Sequence, residues 1–196
     1  MTKTKERHPR QPLNYQSLGV SCWVTSVMNA LLVLKKGKER IPVLANRLLF
    51  SVLFEEGVED NEAKVIITAI RDLCSLAEEV IKSEKDIINR VTNIEDNEVI
   101  IADTGSGEHS ILILGRRKED NWLKVFDPDW ENVKDKKQTE NYICLPDIPD
   151  ISVWERGRVN AMVAPSAFFD KNASKNNRFA FGSKKEWTII VLKNNR

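Results

Sequence analysis

The spacing of apolar residues changes near the middle of this chain of 196 residues. In the first half, apolar residues recur every three or four positions, as they do along one face of a helix. In the second half they form short continuous runs between turn residues, which is typical of strands joined by hairpins. Because the helices come first and the strands follow, we expect an α+β fold in which N-terminal helices pack on a C-terminal antiparallel β-sheet.

Three helices are predicted in the first half, and they span residues 21–36, 43–56 and 62–83, with a break in the third near 74–75. The first carries Val27, Leu31 and Leu34 at helical spacing, which indicates one buried face. Pro42 suits the start of the second helix, and Gly57 suits its end. Helices should therefore dominate the first half of the chain.

Seven strands are predicted in the second half, and they span residues 99–102, 109–115, 122–126, 142–145, 159–163, 178–181 and 187–192. A glycine-containing turn at 104–107 precedes the second of these strands. The polar residues 116–121 suit a hairpin loop between the second and the third. This order of strands and turns favours an antiparallel sheet.

The composition limits the classes of protein and of partner. Apolar residues make up 41% of the chain and charged residues 30%, as in ordinary soluble globular proteins. The formal net charge of +1 gives no reason to expect a nucleic acid or an anionic membrane as a partner. No apolar run is long enough to span a bilayer. Residues 1–13 are polar, so we expect a flexible N-terminal arm followed by a single domain over residues 14–196.

The cysteines, at positions 22, 74 and 144, predict neither a disulfide framework nor a zinc site. Free thiols and a basic N-terminus with no hydrophobic segment behind it favour a reducing compartment, so we expect a cytoplasmic location. Asp127, Asp129 and Glu131 form an acidic cluster, but no histidine or further oxygen ligand is near them in the sequence. We therefore expect no metal and no cofactor.

Cys22 lies at the predicted start of the first helix. The unpaired backbone N–H groups and the dipole at a helix start favour negative charge, which lowers the pKa of a thiol. Gln16 lies six residues upstream across a glycine-containing loop, from where its amide could donate a hydrogen bond beside the sulfur. This stretch predicts a cysteine nucleophile with part of an oxyanion hole. Cys74 and Cys144 are interpreted instead as small buried apolar residues.

A cysteine nucleophile needs a base, and the chain has two histidines. His8 lies in the N-terminal arm, where a fixed catalytic geometry is hard to maintain. His109 begins an apolar strand, and a hairpin centred near Lys118 would make Asp127 its direct cross-strand neighbour. The pair predicts an imidazole base that a carboxylate orients.

Each of these residues also has an ordinary structural interpretation. A helical cysteine is commonly a small buried apolar residue, and a strand histidine can be satisfied within a core. An aspartate in Asp127-Pro128-Asp129 is often a turn former. The presence of Gln16, His109 and Asp127 in the same chain as Cys22 favours the catalytic interpretation.

The segment from Gln16 to Ser21-Cys22-Trp23, with the cysteine at a helix start, resembles the papain-like cysteine peptidases. The later Gly-x-His element, an apolar strand and then Val-Phe-Asp-Pro resemble the compact C39-like branch of that superfamily, which has aspartate where papain has asparagine. The interval from the cysteine to His109 is shorter than the ~130–150 residues expected for papain and cathepsins, which also favours the C39-like branch. The resemblance covers roughly residues 14–34 and 105–130.

The resemblance implies a papain-like fold with Cys22 as nucleophile, His109 as general base, Asp127 as orienting residue and Gln16 as oxyanion donor. The implied function is a cysteine peptidase that hydrolyses a peptide or isopeptide bond in a peptide or protein substrate. Two alternatives use the same fold, namely acyl transfer of the transglutaminase type and a catalytically silent binding module. The Cys-Gly-Ser-Cys motif typical of papain is reduced here to Val20-Ser21-Cys22.

Overall fold

The structure is a computed structural model that describes residues 22–34, 76–104, 109–129, 141–144, 158–173, 179–182 and 187–194. The helices are α1 (Cys22–Leu34), α2 (Glu84–Thr92) and α3 (Pro165–Phe168). The strands are β1 (Leu76–Ile81), β2 (Glu98–Thr104), β3 (His109–Arg116), β4 (Leu123–Phe126), β5 (Tyr142–Cys144), β6 (Ala161–Val163) and β7 (Ile189–Asn194). This part of the chain is mixed α/β with one antiparallel sheet of seven strands.

The strand order across the sheet is β1-β7-β2-β3-β4-β6-β5, and every neighbouring pair is antiparallel. Strands β2, β3 and β4 form a meander, in which each strand pairs with the next along the chain. The C-terminal strand β7 inserts between β1 and β2. The sheet is therefore completed by pairing between segments that lie far apart in the sequence.

Helix α1 covers one face of the sheet. Its apolar stripe packs against side chains of β2, β3, β4 and β7, and the buried set comprises Val27, Ala30, Leu31, Leu34, Val99, Ile101, Leu112, Phe126 and Leu192. Full burial of one leucine side chain stabilises a fold by about 1.5–3 kcal/mol relative to its exposure. The stripe therefore holds the helix firmly on the central strands, and this docking sets the position of Cys22, the first residue of α1.

The opposite face of the sheet carries an aromatic cluster. Phe168 of α3 lies edge-on to Phe181 with ring centroids 4.8 Å apart, and Phe181 stacks on Trp187 at 4.5 Å. Helix α3 begins with Pro165, where the missing N–H costs no helical hydrogen bond. The central strands are thus buried on both faces, which explains why their sequences are continuous apolar runs rather than alternating ones.

A buried carboxylate joins α2 to the sheet. The side chain of Glu98 is 0% exposed and is bonded to Arg90 of α2, and its Oε2 accepts the N–H of Glu95 at 3.0 Å. Lys193 Nζ of β7 lies 3.4 Å from Glu98 Oε1. Burial raises the pKa of Glu98, but the Glu95 N–H and the two cations outweigh burial and hold the pKa below its ordinary value.

The end of the third predicted helix is wrong. Residues 76–81 form β1, which pairs over its whole length with β7. The segment Leu-Ala-Glu-Glu contains good helix formers, which is why the local pattern favoured a helix. Six antiparallel register positions against β7 override that preference, because strand formation depends mainly on the neighbouring strand.

Helix α2 was not predicted, although its sequence carries a signal. Glu84 and Asp86 lie in its first turn, where acidic side chains complement the helix dipole. Ile87 and Val91 are buried at a spacing of four residues. The Ile87 N–H donates to the Ser83 carbonyl at 2.8 Å and begins the helical hydrogen bonding. These signals begin directly after the predicted end of the preceding helix at residue 83, and no element is predicted for residues 84–92.

The strand predicted at 178–181 is also wrong within its described residues 179–181, which contain a turn and a bend but no strand. Phe179 and Phe181 are both buried in the aromatic cluster, so their burial comes from a loop rather than from sheet pairing. Gly182 follows with φ of 69°, a conformation that glycine adopts without the penalty of a side chain. The apolar residues at 178–181 therefore indicate burial correctly but predict the wrong secondary structure.

The remaining predicted elements are present where the structure describes them, but some bounds differ: residues 159–160 and 187–188 precede β6 and β7, and Thr104 belongs to β2 rather than to the predicted turn. The first helix is confirmed over residues 22–34, and the other six predicted strands correspond to β2, β3, β4, β5, β6 and β7. The second predicted helix, residues 62–75 and the arm 1–13 lie outside the described residues. Among the helices that are described, none has the length and apolar character needed to cross a membrane.

Candidate active site

The start of α1 meets the start of β3 and the end of β4, and three of the four predicted site residues lie there. Cys22 is the first residue of α1, His109 is the first residue of β3, and Asp127 directly follows β4. Gln16 lies outside the described residues, so its role as oxyanion donor stays a prediction. Tertiary contact therefore brings together a thiol, an imidazole and a carboxylate that the sequence separates widely.

The imidazole of His109 is bonded to the carboxylate of Asp127. His109 Nε2 lies 2.8 Å from Asp127 Oδ1, and the two residues are 9% and 0% exposed. A hydrogen bond to an ionised partner strengthens in such a poorly solvated setting. Because Nε2 is engaged with the carboxylate, the ring nitrogen that remains for the thiol is Nδ1.

His109 and Asp127 are diagonal neighbours in the ladder. The prediction that they lie directly opposite each other is therefore wrong. Phe126 pairs with Leu112, so Asp127 falls opposite Ile111, two residues from His109. The hairpin loop is closed by Arg117 N–H donating to the Trp122 carbonyl at 2.8 Å, beyond the predicted centre, and the register shifts between Ile113 and Gly115. A diagonal neighbour is still within reach of a long side chain.

The thiol of Cys22 is half-buried and hydrogen-bonded to the His109 side chain. Burial raises the pKa of this thiol. The hydrogen bond and positive charge of His109, together with the backbone N–H groups of Ser110 and Trp23, outweigh burial and hold the pKa below its ordinary value. The surroundings of Cys22 therefore favour the thiolate, which is the nucleophilic form of cysteine.

Beyond the end of β4, side chains of helix α1 form hydrogen bonds with the backbone of Ser110. The Ser110 N–H donates to the Cys22 sulfur, and the Ser110 carbonyl accepts a hydrogen bond from Ser26 Oγ at 3.3 Å. In an antiparallel strand the N–H and the carbonyl of one residue point to the same side. Because Cys22 and Ser26 are one helical turn apart, their side chains can meet both groups.

The carboxylate of Asp127 is held by its own turn as well as by the imidazole. Asp127 Oδ1 accepts the N–H of Asp129 at 2.8 Å, across Pro128, which has no N–H of its own. The turn-forming and the imidazole-binding interactions therefore use the same oxygen. The two interpretations of this aspartate that the sequence left open are compatible.

Asn160, Ser26 and Ser110 contribute to the site and were not identified from the sequence. Asn160 makes two hydrogen bonds with the backbone of Asp127, 33 residues away in the sequence. No local pattern indicates this contact, because it depends on the pairing of β4 with β6. For Ser26 a signal existed, since a residue four positions after a helix-start cysteine lies on the same helical face.

The other cysteines do not join the site where they are described. Cys144 of β5 is 3% exposed and packs in the aromatic face of the core, while Cys74 lies outside the described residues. Over the described ranges, no group of three or more histidine, cysteine, aspartate or glutamate side chains is placed to hold a metal ion. Glu131 of the acidic cluster is outside those ranges.

Comparison of the chain with models of protein families and with curated proteins finds no match. The geometry of the site therefore carries the functional inference.

Proposed function

We propose that this protein is a papain-like cysteine peptidase, similar to the C39-like branch, that hydrolyses a peptide or isopeptide bond. The observation that carries the proposal is the continuous hydrogen-bonded chain from the Cys22 thiol through His109 to the Asp127 carboxylate. A nucleophile bonded to a base, which is in turn oriented by a third group, is the arrangement that covalent catalysis requires. A cysteine at a helix start and a histidine on an antiparallel sheet also agree with the papain-like resemblance.

Acylation follows from the proton positions. His109 accepts the thiol proton at Nδ1 and forms an imidazolium, which the Asp127 carboxylate stabilises at Nε2. The Cys22 thiolate attacks the carbonyl carbon of the scissile amide, and the carbonyl oxygen becomes an oxyanion. The Cys22 backbone N–H, which belongs to the first turn of α1, and the predicted Gln16 amide would stabilise that oxyanion. As the intermediate collapses, His109 gives its proton to the leaving amine and the C–N bond breaks.

Deacylation repeats these steps with water. His109, now neutral, takes a proton from a water molecule while the water oxygen attacks the thioester carbonyl. Collapse of the second tetrahedral intermediate breaks the C–S bond and releases the carboxylic acid product. The proton held by His109 then returns to the thiolate or remains as the imidazolium of the resting pair. No external reductant or oxidant is required.

The buried arrangement supports catalysis over a silent binding role. A carboxylate that is 0% exposed and a histidine that is 9% exposed are costly to bury unless they are paired. A thiol whose pKa is lowered by a specific charged partner is a feature that concentrates at functional sites. A binding module would gain nothing from a thiolate beside an imidazole.

The test is labelling with an electrophilic peptide probe, followed by mass-spectrometric mapping and by assays on a panel of peptide substrates. We expect the probe to modify Cys22 and the wild-type protein to cleave at least one peptide. Cys22→Ala should abolish both. Cys144→Ala is the matched control, because this buried cysteine lies outside the triad, and it should retain both activities.

Two results would contradict the proposal. One is full turnover by Cys22→Ala on a substrate that the wild-type protein cleaves. The other is probe labelling of Cys74 or Cys144 in place of Cys22. Product analysis with and without an added amine separates hydrolysis from acyl transfer, since a hydrolase should form mainly the carboxylic acid and a transferase mainly the amide of the added amine.

A further inference from the structure

The backbone of Asp127 is bound on both of its polar groups by one buried side chain. The Asp127 N–H donates to Asn160 Oδ1 at 2.8 Å, and Asn160 Nδ2 donates to the Asp127 carbonyl at 2.7 Å. Asn160 is 1% exposed, and its own N–H donates to the Val125 carbonyl at 3.0 Å. A side-chain amide thus takes the place of a neighbouring strand for this residue.

The position of this amide in the sheet explains why it is needed. The ladder between β4 and β6 ends at the pair Val125 and Ala161, so Asp127 lies beyond the last register position. Pro128 follows and has no N–H with which to extend the ladder. Without the Asn160 amide, the backbone that carries the carboxylate would lose both hydrogen bonds to this residue, which directly precedes β6.

We propose that Asn160 is a positioning residue, which clamps the backbone of Asp127 and so keeps the carboxylate aimed at His109. This inference rests on the proposed function, because the aim of the carboxylate matters only if His109 serves Cys22. Asn160 would not touch the substrate. Asn160 acts on the site through the Asp127 carboxylate alone. Its effect on Cys22 can therefore be separated from its effect on stability.

The separation is possible because of which atoms are bonded. Asn160 bonds to the backbone of Asp127 and not to its carboxylate, so the clamp persists when the side chain at position 127 is removed. In an Asp127→Ala background, Asn160 still stabilises the chain but has no carboxylate to aim. A structural role therefore predicts the same effect in both backgrounds, and a positioning role predicts an effect on Cys22 only where Asp127 is present.

The readout is the pH at which Cys22 becomes reactive. The rate of iodoacetamide alkylation of Cys22, followed by peptide mapping, gives the midpoint pH of thiolate formation and requires no substrate. Among the residues that the structure describes, the ionisable groups near the thiol are His109 and Asp127, with Asp129 in the turn and Asp103 of β2 bonded to the Ser110 side chain. Asn160→Ala changes none of these charges, so a shift in midpoint reports their geometry.

We expect Asn160→Ala to raise the alkylation midpoint by roughly one pH unit in the otherwise wild-type chain. In the Asp127→Ala background the same substitution should leave the midpoint unchanged, while it lowers the melting temperature in both backgrounds. Met162→Ala is the control for stability, because this buried residue of β6 is not bonded to Asp127, and it should lower the melting temperature without moving the midpoint.

An equal shift in both backgrounds, or no shift in a folded Asn160→Ala protein, would overturn the inference. If the alanine variant does not fold, Asn160→Ser is read in the same way, since its side chain is shorter and offers one oxygen in place of the amide Oδ1 and Nδ2 that hold the two backbone groups. The outcome is independent of peptidase activity. If the expected midpoint shift is observed but no hydrolysis is found, only the proposed function is overturned. If hydrolysis is found without the shift, only the role of Asn160 is overturned.

Discussion

Ser26, one helical turn after Cys22, donates a hydrogen bond from its Oγ to the backbone carbonyl of Ser110 at 3.3 Å. The N–H of that same Ser110 donates to the Cys22 sulfur. Helix α1 is therefore attached to β3 at the point where the thiol needs a donor. The apolar stripe of α1 sets the distance between helix and sheet, and this polar contact sets the register of the helix along the strand.

Ser26→Ala should lower the free energy of unfolding by about 1–2 kcal/mol, because the buried Ser110 carbonyl loses its side-chain donor. Urea denaturation measures this change. Ser83→Ala is the matched control, since Ser83 is exposed and makes no side-chain capping bond, and it should change the free energy by less than about 0.5 kcal/mol. Equal effects of the two substitutions would contradict the assignment of this contact.

His109→Ala should raise the pKa of Cys22. The hydrogen bond and the positive charge of His109 are the main influences that lower this pKa against burial, so their removal leaves burial less opposed. The thiolate would then form only at higher pH, and the midpoint of iodoacetamide alkylation at Cys22 should move upward. His8→Ala removes the other histidine and should leave the midpoint in place. A shift with His8→Ala alone would argue against the thiol–imidazole pair.

Asp127→Asn should retain more activity than Asp127→Ala. The asparagine keeps an oxygen at Oδ1 for His109, and the Asp129 N–H that donates to this atom disfavours a flipped amide. Alanine removes the acceptor, and we expect a loss of about 10²-fold or more, within the range typical of general acid–base groups. The rate of labelling by an electrophilic peptide probe measures both variants. Equal losses would show that the negative charge, and not orientation, is what matters.

Glu98→Gln should lower the free energy of unfolding by about 1.5–3 kcal/mol near neutral pH, because charged hydrogen bonds to Arg90 and Lys193 are lost. The folded-state pKa of Glu98 lies below its unfolded value of about 4.3, so its contribution is present above that pH and is lost as the pH falls through the folded-state pKa. The difference in stability between wild type and Glu98→Gln should therefore shrink in acid.

Glu79→Gln is the control for Glu98→Gln. Glu79 also faces Arg90, at 3.7 Å, but its side chain is 61% exposed. An exposed ion pair contributes at most about 1 kcal/mol, so this variant should be close to wild type. Denaturation curves at several pH values compare the two. If Glu79→Gln and Glu98→Gln changed the pH dependence of stability equally, burial of Glu98 would not be the cause of that dependence.

Much of the candidate site could be predicted because its members lie at ends of elements with clear periods. Cys22 precedes a helical stripe, and His109 begins an apolar run, so each could be placed on its element from local pattern. The partnership of His109 with Asp127 could also be anticipated, because a hairpin joins them. Their diagonal offset could not, since the loop closes between Arg117 and Trp122 and the register shifts near Gly115.

The sequence by itself determined the types and order of most elements, because the period of apolar residues reflects which face of a helix or strand is buried. It did not determine that residues 76–81 form a strand, since that segment prefers a helix until β7 pairs with it. Only the tertiary structure decided this pairing and the clamp of Asn160 on Asp127. Both depend on backbone hydrogen bonds between distant segments, and such bonds leave no periodic trace in a single sequence.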